Sequence, residues 1–100
     1  MFIVSIHYTC ELSEVEKHLA AHVEYLDKYY QQGVFLASGR KEPRTGGVIL
    51  AKASSREELE QVLNEDPFKQ HGLGDYQVTE FLPTKTASEL EFMRHQLELA

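Results

Sequence analysis

Four short runs rich in β-branched or aromatic residues alternate with two helical stretches, and that order constrains the fold more than any other feature of the chain. The runs are Phe2–Tyr8, Val34–Ser38, Gly47–Ala53 and Tyr76–Leu82. The helical stretches fall between the first and second runs and between the third and fourth, which gives β-α-β-β-α-β. This is the split arrangement of ferredoxin-like folds, an α+β class with one antiparallel sheet, and "RKEPRTGG" supplies the hairpin between strands 2 and 3. The first helix opens at "SEVE", where Ser13 and Glu16 have the spacing of a capping box, and it closes before Gly33, a natural residue for the left-handed turn after a helix. The second opens at "SSREELEQVL" with Ser54 or Ser55 as cap. Beyond Pro83, "TKTASELEFMRHQLELA" reads as an appended helix with Leu90, Met93 and Leu97 on one face. The expected organisation is thus one domain over 1–83 and a helical extension over 84–100.

Strand periodicity bears on assembly. Phe2, Val4, Ile6 and Tyr8 form one face of strand 1, while Ile3, Ser5 and His7 form the other; in strand 2, Phe35 and Ala37 oppose Val34 and Leu36. Both faces carry apolar groups. Helices cover only one face of such a sheet, so the second calls for a partner, most simply another copy of the chain. A homodimer is the expectation.

The 100 residues suffice for one core that buries roughly two-thirds of the surface of the unfolded chain. With 16 acidic against 10 basic residues the formal charge is −6, a sign that repels phosphate backbones and argues against nucleic acid as a partner. A single cysteine, Cys10, permits neither an internal disulfide nor a cysteine-based metal cluster. The apolar "MFIVSIHY" lacks a basic flank and is far too short to span a bilayer, so it reads as a strand. No membrane association and a cytoplasmic location are expected.

On the first helix, at about 100° per residue, Leu12, Val15, Leu19, Val23, Leu26 and Tyr30 form the expected buried stripe. His22 lies at its edge, and His18, Tyr25 and Tyr29 form a second, polar-aromatic stripe beside it. A histidine on such a border can face a cleft between helix and sheet; the plainer alternative is a half-buried ring bonded to a backbone carbonyl. His18 and His22 have i, i+4 spacing, but no cysteine or flanking catalytic glutamate completes a zinc shell, and no metal is expected.

In "EDPFKQHG", Asp66 before Pro67 has the form of a helix start, because the carboxylate can accept from free N–H groups and proline loses nothing at the first helical position. A carboxylate has two oxygens, so it can cap with one and accept from an imidazole with the other. His71 reads as a solvated loop residue. Arg40, Lys41 and Arg44 make a local basic cluster in an acidic chain; loop charges are usually solvated, but Arg40, just after strand 2, is placed to pair with a small anionic ligand. Gly39, Gly46 and Gly47 are turn residues, since neither "GxxxxGK[ST]" nor "GxGxxG" occurs.

Taken together, "HVEYLDKYYQQGVFLASG", "PRTGGVILA" and "EDPFKQHGLGDYQVTEF" resemble the YciI-like (YCII-related) family of dimeric α+β barrel proteins, in the right order over residues 2 to 83. The resemblance implies a ferredoxin-like subunit, a homodimer, and an active site built from His22 and Asp66 with Ser38 nearby. Arg40 stands where many relatives carry proline. A carboxylate beside an imidazole fixes its tautomer and raises its basicity, leaving the other nitrogen to move a proton near pH 7. The expected function is a cofactor-independent enzyme, of lyase or isomerase type and dehalogenase-like, acting on an anionic or phenolic small molecule. Its catalytic residues would be His22 and Asp66, and its substrate contacts Ser38 and Arg40. The alternative is a non-catalytic ligand-binding or interaction module, since fold does not fix function.

Overall fold

The computed structural model describes residues 1–95. Four strands, β1 (Phe2–Tyr8), β2 (Phe35–Arg40), β3 (Gly46–Ala51) and β4 (Gly74–Glu80), form one sheet in the order β2-β3-β1-β4. Every neighbouring pair is antiparallel. The helices are α1 (Leu12–Lys17), α2 (Leu19–Gln31), α3 (Arg56–Leu63) and the single turn α4 (Pro67–Gln70). This is the expected ferredoxin-like α+β arrangement. β1 keeps the bounds read from the sequence, whereas β2, β3 and β4 lie one or two residues away from theirs, because side-chain periodicity alone does not mark where a ladder ends.

Phe2, Val4 and Ile6 of β1 are buried against Phe35, Ile49 and Ala51 of the sheet and against Tyr25, Tyr29, Leu59 and Leu63 of the helices. The other sheet face carries Ile3 and Val48, each 38% exposed. A second cluster, Val15, Phe68 and Leu73, packs with Tyr8 and Tyr76 under α4. Ser55 caps α3 by accepting from the Glu58 N–H at 3.1 Å. At Gly33 the chain leaves α2 with φ of +75°, a conformation that glycine adopts without penalty.

Three expectations for the helices are corrected. The first helical stretch is not continuous, for it breaks at His18, with φ −110° and ψ 5°, into α1 and α2. Its start is not a capping box: Glu11 occupies the cap position with no side-chain bond, and Ser13 lies inside α1. The buried stripe is also different. Val15 is buried on α1, but on α2 the buried residues are His22, Tyr25 and Tyr29, while Leu12, Leu19, Val23 and Tyr30 are each more than a third exposed. The break resets the helix azimuth, so a face extrapolated at constant rotation does not carry across it. Burying the polar aromatics costs little because their hydroxyls are satisfied: Tyr25 donates to the Val62 carbonyl at 2.8 Å and Tyr29 donates to Glu65.

After β4, a 3₁₀ helix over Ser88–Met93 stands where a helical extension was expected. It buries no residue, and Leu97 lies outside the described residues.

Candidate functional site

Asp66 starts α4 as its sequence context predicts. Its Oδ1 accepts from the Phe68 N–H at 3.0 Å, with Pro67 at the first helical position. The same side chain is wholly buried and accepts from His22 of α2, Nδ1 to Oδ1 at 2.7 Å. The expected division of labour, one oxygen for the backbone and the other for the imidazole, is corrected. Oδ1 takes both bonds because Oδ2 is engaged by the hydroxyl of Tyr76. Three donors thus satisfy one buried carboxylate, which offsets the cost of removing it from water.

The His22 ring is held on one face as well as at its edge. Phe68 stacks on it with centroids 3.8 Å apart and planes 4° from parallel. A carboxylate has no proton to give, so Nδ1 is the donor, and in the neutral imidazole Nε2 keeps its lone pair. His22 lines a cavity of about 260 Å³, so Nε2 is the nitrogen available to whatever enters it.

The rest of that cavity explains the exposed face of α2. Leu19, Val23 and Leu26, expected in the core, instead form its apolar wall, opposite Ile6 and Ile49 of the sheet. Ser38, Arg40 and Arg44 line the same cavity. Ser38 and Arg40 reach it through a register shift between Phe35 and Ala37, and Arg44 from the loop between β2 and β3. Regular alternation from buried Phe35 would turn Ser38 and Arg40 to the other sheet face. With the shift, Ser38 pairs with Ile49 and Arg40 with Gly47, and both join the helix-covered face. Ser38 Oγ lies 2.5 Å from the Tyr30 hydroxyl. Arg44 contacts Glu16 at 3.4 Å, while among the described residues Arg40 makes no ion pair.

Burial, followed by the Asp66 charge, pushes the phenols of Tyr25 and Tyr76 well above the ordinary tyrosine range. Both stay protonated through neutral pH, so Tyr76 remains a donor to Asp66. His18, considered with His22 for a metal, turns instead to His71, their rings stacked at 4.0 Å. His71 is exposed in the turn after α4, as expected, and this stacking is its one aromatic contact among the described residues. Among the described residues no group of three or more His, Cys, Asp or Glu is placed to hold a metal ion. Tyr76, Phe68 and Tyr30 were missed from the sequence as parts of the site. The one available signal was the period-2 alternation that puts Tyr76 with Val78 on the face of β4 shared with the core.

The fold and the cavity together define a small ferredoxin-like α+β subunit with a buried carboxylate–imidazole pair at the wall of a half-apolar pocket. The chain belongs to the YCII-related domain family, whose model matches residues 1–82. Among solved structures it is similar to 5-chloro-2-hydroxyhydroquinone dehydrochlorinase of Burkholderia phenoliruptrix AC1100 in complex with 2,5-dihydroxybenzoquinone. The TM-score is 0.68 at 20% identity, over 81% of this chain and 93% of that one. Among curated protein sequences none matches this chain. No helix among the described residues is long and apolar enough to cross a membrane.

Proposed function

We propose that the protein is a cofactor-independent lyase or isomerase that moves protons on a small anionic or phenolic ring, with His22 as acid and base and Asp66 as the group that orients it. The observation that carries this reading is the Nδ1–Oδ1 bond of 2.7 Å, which fixes the imidazole while leaving Nε2 to the cavity. Ser38 and Arg40 are the proposed substrate contacts. Arg40 and Arg44 bring two guanidinium groups to one end of a cavity whose other walls are largely apolar, the combination that binds a flat ring with an ionised oxygen.

The named chemistry of the structural neighbour supports a dehalogenase-like reaction within this class. Loss of HCl from a chlorinated hydroxyhydroquinone places one proton on the ring carbon that bears chlorine and takes protons from two ring hydroxyls. Chloride departs with the carbon–chlorine electron pair. The balance is one proton and one chloride lost, with no external oxidant. An imidazole that both gives and takes a proton suits these steps.

The exposed Ile3 and Val48 on the uncovered sheet face support a homodimer as the working form, and the proposed location of this enzyme is the cytoplasm. Light scattering at micromolar concentration would give twice the 11.5 kDa chain mass. The activity is tested with 2,5-dihydroxybenzoquinone as the first probe, against its neutral dimethoxy analogue, by thermal shift. At a hundred times its dissociation constant the anion adds about 2.7 kcal/mol of stability. Equal shifts for anionic and neutral rings would remove the arginines from the site. Chloride release from 5-chloro-2-hydroxyhydroquinone that persists in His22→Asn would remove His22.

A further inference from the structure

The Asp66 carboxylate accepts three hydrogen bonds, and the proposed chemistry accounts for two of them: the Phe68 N–H holds the loop and His22 moves the proton. The third donor, Tyr76, does not line the cavity and cannot touch a substrate there. It stands on β4 directly across from Ile6 of β1, which does line it.

We infer that Tyr76 is a positioning residue for proton transfer: its hydroxyl pins Oδ2 of Asp66, keeps Oδ1 aimed at His22 Nδ1, and draws off part of the carboxylate charge that the imidazole feels. This deepens the His22–Asp66 reading above and rests on it.

No other group among the described residues takes this place. On α2, the Tyr25 hydroxyl is committed to the Val62 carbonyl. On α4, the Lys69 ammonium lies 5.8 Å from the Tyr76 ring centre and is bonded to Asn64. Tyr8 of β1 packs edge-on to Phe68. Arg40 and Arg44 line the cavity that His22 lines, and Asp66 does not line it. Since burial and the Asp66 charge hold the Tyr76 phenol protonated, its donation persists through the working pH range.

The consequence has a definite sign. A buried carboxylate that loses a donor binds a proton more tightly, and a carboxylate with more of its charge unspent favours imidazolium beside it. Both effects raise the pH at which the coupled pair takes up its proton. Tyr76→Phe is therefore expected to move that pH upward by about one unit, a tenfold change in proton affinity, and the acid limb of any pH–rate profile with it. A strengthened donor acts oppositely: 3-fluorotyrosine incorporated at position 76, which keeps the shape of the side chain, moves it downward.

The experiment is a titration of the His22 imidazole nitrogens by ¹⁵N NMR on the full chain, in wild type, Tyr76→Phe, the 3-fluorotyrosine protein, Tyr25→Phe and Asp66→Asn. Movement in opposite directions for the two position-76 proteins, with Tyr25→Phe unmoved, is the expected result. If Tyr76→Phe does not fold, the downward movement of the 3-fluorotyrosine protein carries the test. No movement from either change at position 76 while Asp66→Asn shifts the titration overturns the role of Tyr76 and leaves the pair standing. No movement in Asp66→Asn as well overturns the pair itself. Equal movement in Tyr25→Phe and Tyr76→Phe also overturns the role, because it would mark a general loosening of the core.

Discussion

At one end of the site, behind the cavity wall, Asp66 is wholly buried, His22 is 9% exposed, and both Asp66 oxygens and His22 Nδ1 have partners. At the other end Ser38 and Arg40 are exposed, and among the described residues Arg44 is tied only to Glu16 at 3.4 Å, an ion pair worth at most about 1 kcal/mol. The difference teaches how such a site divides its tasks. A group proposed to move protons needs a fixed tautomer and orientation, which burial and hydrogen bonds supply. The groups proposed to recognise an anion keep unspent bonding capacity for a ligand, so they contribute little to folding. Substitutions at the first end should therefore cost stability, and those at the second should cost binding.

The largest effect is expected at the buried end. Asp66→Ala removes the cap of α4 and leaves His22 Nδ1 and the Tyr76 hydroxyl without their acceptor, a combined loss of about 4 kcal/mol. Asp66→Asn keeps an oxygen for the cap and for His22 and should lose only about 1 kcal/mol. Urea unfolding separates the two, and equal losses would mean that the buried donors find other partners.

The seam between the two ends comes next. Gly46 of β3 lies against β1 so closely that a Cβ there would stand 1.7 Å from the Ile6 carbonyl oxygen. Backbone cannot swing aside as a side chain can, so Gly46→Ala should cost about 3 kcal/mol. An unfolding midpoint close to that of wild type would mean that the sheet can separate there without loss.

A smaller, pH-dependent effect marks the buried end again. Tyr25 and Tyr76 have phenols raised in the folded chain, so below the ordinary tyrosine value near 10 the folded and unfolded states hold the same protons and stability is unaffected. Above that value the unfolded phenols ionise while the folded ones do not, and stability falls as pH rises. The limiting slope is about 1.4 kcal/mol per pH unit for each tyrosine. Tyr76→Phe should reduce that slope by one proton's worth, read from unfolding free energies across the alkaline range; an unchanged slope would mean that Tyr76 titrates freely.

The smallest effect on stability belongs to the exposed end. Arg40→Gln should leave the unfolding free energy within about 0.5 kcal/mol of wild type while weakening 2,5-dihydroxybenzoquinone binding by roughly tenfold or more. A large stability loss with intact binding would reverse the comparison.

The order of elements and the capping role of Asp66 were legible in the sequence, because each rests on local chemistry, strand-forming runs and the Asp-Pro pair; His22 was legible as a residue that can face a cleft, but not as part of the buried face of α2. Three features were not. The break at His18 has no proline or glycine to announce it, and it turned the expected core stripe of Leu19 and Val23 into a cavity wall. The register shift after Phe35 cannot be read from alternation within β2, yet it brings Ser38 and Arg40 inward. The bond from Tyr76 to Asp66 joins β4 to the start of α4 through tertiary packing, which strand periodicity constrains only to a face.

The proposed chemistry depends on Asp66 setting the tautomer of His22 and leaving Nε2 free for the cavity. It is tested most directly by the ¹⁵N chemical shifts of the His22 ring in the uncharged state, recorded with and without 2,5-dihydroxybenzoquinone. Expected are a protonated Nδ1, an unprotonated Nε2, and a shift on adding the probe that is concentrated at Nε2. A proton on Nε2, or a probe response confined to other residues, would contradict it.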